Sequence, residues 1–539
     1  MRKGGFVAVF AVALLVISSP ALVAQSATCT AVTPANSAFN AALLGSGFSG
    51  ALGSPNGFAN VNFSLNGNQA TVTASSLGLN NINGIALYQG QPGTPTAQLV
   101  QTFSSSTNNF QNGQFSTTMT LSPALISQIQ ANPGNYFFVV TTPDFPNGAV
   151  AGALAPTNQQ LITGIVPAAN ATFGNNGAFL ISVGPNNGTG NVTLNYDITV
   201  PQLTSNLSSL QLMPVGGTTP LATIGTNLTP TNGRVVGSTQ IPATLAQQIL
   251  ANPCSFTLAL SSTQFGAGTI VANLAAGNEI FLPVVGSVQG ANGTNYMTDI
   301  SIFNNSPLGA TASSANAGVF AQFFPSGNTT PSSTTVTAQN VSALNIPARG
   351  TTTLRDINNA MFGGAINGIG ALRITSSQDV FANARIYNNQ IANGRGTFGQ
   401  FEPGMFRSQA LQQGVLVGVG NVTNNSSLAN GQSFHTNVGF FNPNDTATTV
   451  ALEIRDLNGN VLGSQMITLN PWAQMQVPLN GSGGLFNSLN GDTGTSSVYF
   501  LSGNPIFAYA SIVDNISGDA SFVTPTWTPN NSNNGNNGQ

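Results

Sequence analysis

A segment of about thirty residues occurs twice in this chain, and the repeat restricts the fold more than any other feature of the sequence. Residues 125–154 align with residues 245–274 without a gap, at an offset of 120. The matched positions include Pro133 with Pro253, Tyr136 with Phe256, and Leu154 with Leu274. Because a repeat of this kind indicates a repeated supersecondary unit, we expect two successive domains of about 120 residues each.

A looser duplication follows in the second half of the chain. Residues 298–304 (TDISIFN) resemble residues 436–442 (TNVGFFN), at an offset of 138. Residues 380–384 (VFANA) resemble residues 506–510 (IFAYA), at an offset of 126. The unequal offsets indicate that loops of different length separate matched strands, so this half also contains two related domains.

The local patterns are those of strands and turns. Residues 136–140 (YFFVV) and 450–454 (VALEI) are β-rich and bounded by Asn, Gly and Pro, and Asn458-Gly459 is typical of a two-residue hairpin turn. Helical periodicity is confined to short pieces such as residues 125–129. We therefore predict an all-β fold of four tandem antiparallel β-sandwich domains, Greek-key or immunoglobulin-like, with one short helix in each of the first two.

The expected domain boundaries follow from the repeats and from composition. A signal peptide is predicted first and a disordered Asn/Gly-rich tail last, because the tail has almost no apolar residue to anchor it. The predicted segments are the signal peptide at 1–24, sandwiches at 29–157, 160–277, 278–408 and 411–526, and the tail at 527–539.

The N-terminal segment predicts export. Arg2 and Lys3 precede an apolar stretch, residues 5–17, which is too short to span a bilayer, and we expect cleavage near Ala24. A lipoprotein is an alternative because Cys29 follows, although Thr28 stands where a small residue would be expected. We expect a secreted protein, extracellular or at the cell surface, with no membrane insertion after cleavage.

Charged residues make up only 4% of the chain. After cleavage no lysine remains, and eight arginines face thirteen acids, which gives a net charge near −5. Between Gln25 and Asn278 the charged residues are Asp144, Asp197 and Arg234. A chain with so few cations cannot make the many phosphate contacts of a nucleic-acid-binding protein. We expect no nucleic-acid partner.

The first repeat resembles the C-terminal hairpin of CHRD (chordin-type) domains. Residues 132–136 (NPGNY) and 145–154 (FPNGAVAGAL) carry the likeness, which covers most of residues 30–156 and, more weakly, residues 160–277. The resemblance implies two CHRD-like β-sandwiches. CHRD domains commonly carry an H-x-H pair in the strand after the first hairpin. In this chain Ala86 and Tyr88 stand there in the first copy, and Gln211 and Met213 in the second. No metal site of that kind is therefore expected.

Residues 278–526 resemble a paired β-sandwich region found in secreted bacterial proteins of unassigned function. The phrases 346–350 (IPARG), 396–401 (GTFGQF) and 507–515 (FAYASIVDN) carry that likeness. The resemblance implies no activity.

Catalytic and metal-binding patterns are not found in the sequence. His435 is the one histidine, and it lies on an expected strand. Nucleophilic triads need a histidine base, and most metal sites need several His, Cys or carboxylate ligands. Glu402, Asp379 and Asp356 share a domain, but their spacing does not indicate a facing pair of the kind glycosidases use. We expect a non-enzyme without metal or cofactor, and a hydrolase is the least supported reading.

Two types of site residue stand out. Cys29 and Cys254 are the two cysteines, and export makes a disulfide between them one alternative, with two unpaired thiols as the other. Exposed aromatics could stack on sugars, and Trp472, Trp527 and Tyr387 are the candidates for carbohydrate contact.

The predicted function is that of a secreted, non-catalytic structural or adhesive protein of the cell surface or extracellular matrix. A polysaccharide-binding protein that uses aromatics of the C-terminal domain pair is the alternative. Self-association or contact with other matrix components is expected, because edge strands without lysine or other charges are poorly protected against pairing with another chain. We expect association to begin with the first two domains.

Overall fold

The structure is a computed structural model, and it confirms the all-β prediction. The described residues are 32, 38–45, 53–55, 57–90, 92–105, 110, 114–131, 133–156, 160–168, 177–186, 190–265, 269–289, 295–306, 319–327, 336–337, 346–389, 397–422, 433–515 and 518–526. The predicted signal peptide, Cys29, Trp527 and the predicted tail lie outside them.

Residues 38–156, called module I, form two packed halves of one folded sheet. The strands run in the order β5-β4-β7-β8-β1-β2-β3-β6, and β9 pairs with β1. A single residue pair, Leu44 opposite Ala151, joins β8 to β1, so the sheet folds over there. Phe39, Phe63 and Phe138 fill the core between the halves. The elements are β1 (Ala38–Leu44), β2 (Phe58–Asn66), β3 (Gln69–Leu77), β4 (Gly84–Gln89), β5 (Gln98–Ser104), β6 (Gln114–Thr120), α1 (Pro123–Ala131), β7 (Tyr136–Thr142), β8 (Phe145–Ala153) and β9 (Ala155–Pro156).

Residues 160–276, called module II, form two sheets. Their orders are β15-β12-β11-β10-β18 and β14-β13-β16-β17. Phe179, Ile198 and Leu258 lie in the core between them. The elements are β10 (Gln160–Val166), β11 (Gly177–Asn186), β12 (Asn191–Thr199), β13 (Leu207–Pro214), β14 (Ala222–Leu228), β15 (Arg234–Pro242), α2 (Ala243–Ala251), β16 (Phe256–Ser262), β17 (Thr269–Asn273) and β18 (Ala275–Ala276).

The offset of 120 holds in three dimensions. Helices α1 and α2, and strands β7 and β16, begin 120 residues apart. Ala86 lies opposite Val139 in module I, and Gln211 lies opposite Ala259 in module II. Val139 and Ala259 are themselves 120 residues apart, so Gln211 occupies the position of Ala86. The repeat therefore preserves strand register as well as sequence.

Residues 278–406, called module III, are built around the pairs β19–β24 and β20–β25. The strand order is β22-β21-β24-β19-β20-β25-β26, with β23 beside β20 and β27 beside β19. Ile302, Phe323 and Leu372 lie in its core. The elements are β19 (Asn278–Gln289), β20 (Asn295–Asn304), β21 (Val319–Pro325), β22 (Val336–Thr337), β23 (Thr351–Leu354), α3 (Ile357–Phe362), β24 (Gly368–Ser376), β25 (Val380–Asn389), β26 (Thr397–Pro403) and β27 (Met405–Phe406).

Residues 411–523, called module IV, are organised by one strand of 19 residues, β33. Its first part pairs with β28 and β30, and its second part pairs with β29 and β34. Phe440, Val450 and Phe500 lie in the core. The elements are β28 (Leu411–Val419), β29 (Phe434–Phe441), β30 (Thr448–Arg455), β31 (Val461–Leu469), β32 (Gln474–Pro478), β33 (Ser496–Asp514) and β34 (Ala520–Val523).

The second duplication also preserves register. Phe303 lies opposite Phe381 in module III, and Phe441 lies opposite Phe507 in module IV, which are the positions that the two sequence offsets match. The buried hydroxyl of Thr298 donates to the carbonyl of Gly286 at 2.7 Å, and Thr436 donates in the same way to Gly420. The shared phrase thus fixes the same strand contact twice.

Contacts between modules run from I to IV, from IV to III and from III to II. Phe58 of module I packs against Ala451 and Leu501 of module IV. Phe320 of module III packs against Leu161 and Leu180 of module II. Modules III and IV share an apolar cluster, and its buried members are Phe281, Phe324, Ala371, Met405, Phe441 and Phe507. The four modules therefore form a connected body rather than a string of separate domains.

Candidate functional site

A concave surface lies between modules I and IV, and we call it the interdomain cleft. Its volume is about 760 Å³, which falls within the range of small-ligand sites. The described residues that line it are Ser75, Ser76, Leu77, Gln114, Gln413, Gly414, Val415, Val417, Glu453, Arg455, Gly459, Ser497, Tyr499, Phe500, Leu501 and Thr526.

The floor of the interdomain cleft is the outer face of the sheet formed by β28, β33 and β30. Tyr499 on β33 lies between Val415 on β28 and Glu453 on β30, because the three residues share one register row. Ser497 lies in the next row, between Val417 and Arg455. Successive residues of a strand point to opposite faces, and the two rows are two residues apart, so their side chains lie on the same face of the sheet.

Tyr499 and Arg455 are the largest polar side chains on this floor. Tyr499 is 39% exposed, and the guanidinium carbon of Arg455 lies 5.6 Å from the centre of its ring. Arg455 donates to the carboxylate of Glu453 at 2.5 Å and to the carbonyl of Gly459 at 3.0 Å. The guanidinium is thus held beside the ring by two acceptors, and a cation over an aromatic face is itself attractive.

Module I forms the opposite wall of the interdomain cleft. Ser75 near the end of β3 pairs with Gln114 at the start of β6, so hydroxyl and amide groups lie at this rim. The cleft exists because module I covers only part of the floor. Phe58 packs against Ala451 and Leu501 and Ala42 lies close to Gly503, whereas the rows with Tyr499 and Ser497 stay open.

Asn60 fixes the relation between the two walls. Its amide donates to the carbonyl of Ser502 at 3.1 Å and to the carbonyl of Gln412 at 3.4 Å. The amide of Gln412 in turn donates to the carbonyl of Gly503 at 2.7 Å. Asn60 and Gln412 are both buried, so these hydrogen bonds are shielded from water. The contact between modules I and IV contains no charged side chain among these residues.

A second polar region, which we call the arginine network, joins modules III and IV. Glu279 accepts hydrogen bonds at 2.6 Å from the Nε atoms of both Arg373 and Arg407. Arg407 also donates to the carbonyl of Pro443 at 2.7 Å. Burial alone would raise the pKa of Glu279, but the charges of Arg373 and Arg407 outweigh it and hold the pKa below its usual value.

The arginine network continues into module II. Arg373 donates to the Oε1 atom of Gln322 at 3.3 Å, and the amide of Gln322 donates to Asp197 at 2.7 Å. Asp197 is held by two parallel bonds from Arg234, at 2.8 and 2.9 Å. Two of the three charged residues that the sequence contains between Gln25 and Asn278 are therefore used at a junction between modules.

Another buried carboxyl group, Glu402 on β26, faces module IV. Its Oε1 atom accepts from the amide of Gln400 at 2.6 Å, and its Oε2 atom is buried without a hydrogen-bond partner among the described residues. The hydroxyl of Ser511 donates to Gln400 at 2.8 Å across the junction. Burial raises the pKa of Glu402 well above its usual value, and the bond from Gln400 offsets only part of the rise.

Trp472 lies inside the junction between modules III and IV. Its ring stacks on Phe324, with 5.3 Å between centroids, and the guanidinium carbon of Arg373 lies 4.4 Å from the ring centre. The indole N–H donates to Asp445 at 2.7 Å. A sugar platform needs a free ring face, and these contacts engage the ring within the protein. The placement of Trp472 thus differs from the exposed position that carbohydrate contact would require.

Tyr387 and Cys254 are the other predicted site residues that lie among the described residues. Tyr387 is half-buried on β25, where its hydroxyl donates to Asp299 at 3.1 Å and the guanidinium carbon of Arg385 lies 5.1 Å from its ring centre. Cys254 is in a disulfide. The chain contains one other cysteine, Cys29, which lies outside the described residues, so its pairing with Cys254 stays a prediction. Trp527 also lies outside them.

Sequence reasoning missed Tyr499, Arg455 and Glu453. Alternation along β30 places Glu453 and Arg455 on one face, and this signal was readable from the sequence. The sequence could not show that module I would cover only part of this sheet face and leave Glu453 and Arg455 accessible.

Within the described residues, no group of three or more His, Cys, Asp or Glu side chains comes together as a metal site. In the same part of the chain, no helix has the length and apolar character needed to cross a bilayer.

Comparisons with known proteins add little. No family model matches the chain, so the resemblance to CHRD domains rests on its motif residues alone. No curated protein matches it either. Among solved structures, the chain is similar to the crystal structure of Thermotoga maritima 1070, with 10% identity, 22% of this chain and 97% of that chain covered, and a TM-score of 0.18. A likeness at this level supports no argument about function.

Proposed function

We propose that this chain is an exported, non-catalytic structural or adhesive protein of the cell surface or extracellular matrix. The observation that supports this role is the set of buried contacts that join module I to IV, IV to III and III to II. Rigid joining suits a protein whose task is to hold a shape. The leader predicted over residues 1–24 supports export.

The resemblance to CHRD domains extends the proposal to modules I and II. Residues 132–136 and 145–154 carry it, and the register shared by Ala86 and Gln211 supports two copies of one unit. Both copies have other residues where the family commonly has its H-x-H pair. We therefore assign modules I and II a structural role, without metal.

Self-association is the second part of the proposal, and strand β31 is one surface suited to it. β31 is the outer strand of its sheet and contains neither a charged residue nor proline. Val461 is 49% exposed, Leu462 38% and Met466 41%. An uncharged edge with exposed apolar side chains can pair with the same strand of a second copy. Module IV thus offers such an edge in addition to modules I and II, whose outer strands β5 and β17 are also uncharged and expose Leu99 and Val271.

A single added charge tests this surface. Met466→Lys places a lysine on β31, and we expect it to convert an associating protein to a monomer in sedimentation velocity. Leu457→Lys is the matched control, because Leu457 is 80% exposed in the hairpin loop before β31. A wild-type chain that stays monomeric at high concentration would contradict self-association. Fractionation of cells tests location, and recovery in the cytoplasm would contradict the exported role.

A further inference from the structure

The floor of the interdomain cleft cannot accept a ligand by strand addition. Tyr499 on β33 pairs with Val415 on one side and with Glu453 on the other, so the backbone hydrogen bonds of β33 are already made there. A ligand in this cleft must therefore be recognised by side chains. This favours a molecule with its own apolar faces and hydroxyl groups over an extended peptide.

The apolar part of the floor is narrow and exposed. Tyr499 is 39% exposed, and Val417 in the next row is 57% exposed. An aromatic ring on a sheet face offers a flat surface for the C–H face of a sugar ring. The strand beneath is paired on both sides, so binding requires no ordering of its backbone.

The polar groups around this strip suit a neutral partner that is rich in hydroxyls. Glu453 can accept from hydroxyl groups, Arg455 can donate to them, and the amides of Gln114 and Gln413 can do both. Glu453 and Arg455 are the charged residues among the described lining residues, and their contact at 2.5 Å makes the pair neutral. An anionic chain would find no surplus positive charge in this part of the cleft.

We propose that the interdomain cleft binds a neutral oligosaccharide segment. Tyr499 stacks on a sugar ring, and Glu453, Arg455, Gln114 and Gln413 bond its hydroxyl groups. The site differs from the one expected at Trp472 and Tyr387, because it needs module I as its second wall. The proposal goes beyond the structural role and does not depend on self-association.

The test uses the full mature chain and a panel of neutral hexasaccharides: cellohexaose, xylohexaose, maltohexaose and N-acetylchitohexaose. Calorimetric titration should detect binding of at least one of them, and trigalacturonate should not bind. Tyr499→Ala should weaken that binding at least about fivefold, as expected for loss of a stacking contact of moderate strength. Tyr499→Phe keeps the ring and should bind within about twofold of the wild type.

Two further variants separate loss of the site from loss of the fold. Val417→Arg fills the cleft from an exposed position, so it should abolish binding while the unfolding midpoint stays unchanged. Tyr387→Ala removes an aromatic residue on module III and should leave the affinity unchanged. The proposal is overturned if none of the hexasaccharides binds, or if Tyr499→Ala and Val417→Arg bind like the wild type. It is also overturned if Tyr387→Ala abolishes binding and the two cleft variants do not.

Discussion

Modules III and IV meet across buried charges, whereas modules I and IV meet across apolar side chains and neutral amides. Glu279 is held between Arg373 and Arg407 at the first junction. Phe58 packs into module IV and Asn60 bonds to its backbone at the second. A chain with only 4% charged residues thus places several of them in one junction and none among the described contacts of the other.

The two junctions should fail in different ways. A buried ion pair adds little net stability over apolar packing, but loss of one partner leaves a buried charge without compensation. An apolar contact loses free energy in proportion to the surface and the cavity that a substitution creates. The arginine network should therefore be sensitive to single charge changes, and the contact between modules I and IV should respond mainly to changes in volume.

The largest expected effect is that of Glu279→Gln. This variant keeps the side-chain shape but removes the carboxylate that pairs with both Arg373 and Arg407, which should cost about 3–5 kcal/mol of unfolding free energy. Urea unfolding monitored by Trp472 emission in a Trp527→Phe background measures it, since those are the two tryptophans. Glu453→Gln is the control, because its pair is more exposed and worth at most about 1 kcal/mol. Equal losses in both variants would contradict the distinction.

Phe58→Ala should come next. Phe58 is fully buried against module IV, and its truncation should cost about 3 kcal/mol. Because the contact is uncharged, the cost should be the same at low and high salt. Small-angle scattering should show a larger radius of gyration as module I separates. An unchanged radius together with unchanged stability would show that modules I and IV are not held by this residue.

The two buried glutamates at the junction of modules III and IV should give opposite pH dependences. The pKa of Glu402 is raised in the folded state, so protonation of this group favours folding. Its contribution to stability is fully present below the unfolded pKa of about 4.3 and is lost as pH rises through the raised pKa. The pKa of Glu279 is lowered, so its contribution is present above about 4.3 and lost as pH falls. Glu402→Gln should raise the unfolding midpoint at pH 7, with a smaller change than in Phe58→Ala. A lower midpoint at pH 7 would contradict this assignment.

Asn60→Ala should have the smallest effect. It removes hydrogen bonds to the carbonyls of Ser502 and Gln412 and should cost about 1 kcal/mol. Thermal unfolding of the variant beside the wild type measures this loss. A loss as large as that of Glu279→Gln would show that the neutral junction is as sensitive to polar changes as the charged one.

The sequence predicted what depends on local pattern and on repetition. The all-β class followed from the strand patterns, and the offsets of 120, 138 and 126 reappear as equal register. The prediction of a two-residue turn at Asn458-Gly459 was wrong in length. The loop between β30 and β31 is longer, and Asp456 closes it by accepting hydrogen bonds from the backbone N–H groups of Asn458 and Asn460.

What the sequence could not predict depends on contacts between distant modules. Trp472 follows Pro471 in a turn, which favours exposure, and its φ of 57° lies in the left-handed region. Its ring is nevertheless held by Phe324 and Arg373 of module III. Tyr499 lines the cleft only because module I leaves its row uncovered. Neither outcome is encoded in the residues next to it.

Strand β33 has a mechanical consequence. Near its start Tyr499 lies in the cleft, Leu501 and Ser502 hold module I, and further on Phe507 and Ser511 hold module III. A pull applied between modules I and III would therefore load this strand along its length. β28, β30, β29 and β34 pair with it on both sides, so sliding it would have to shear many backbone hydrogen bonds together. Under tension, module IV should act as the force-bearing link of the molecule.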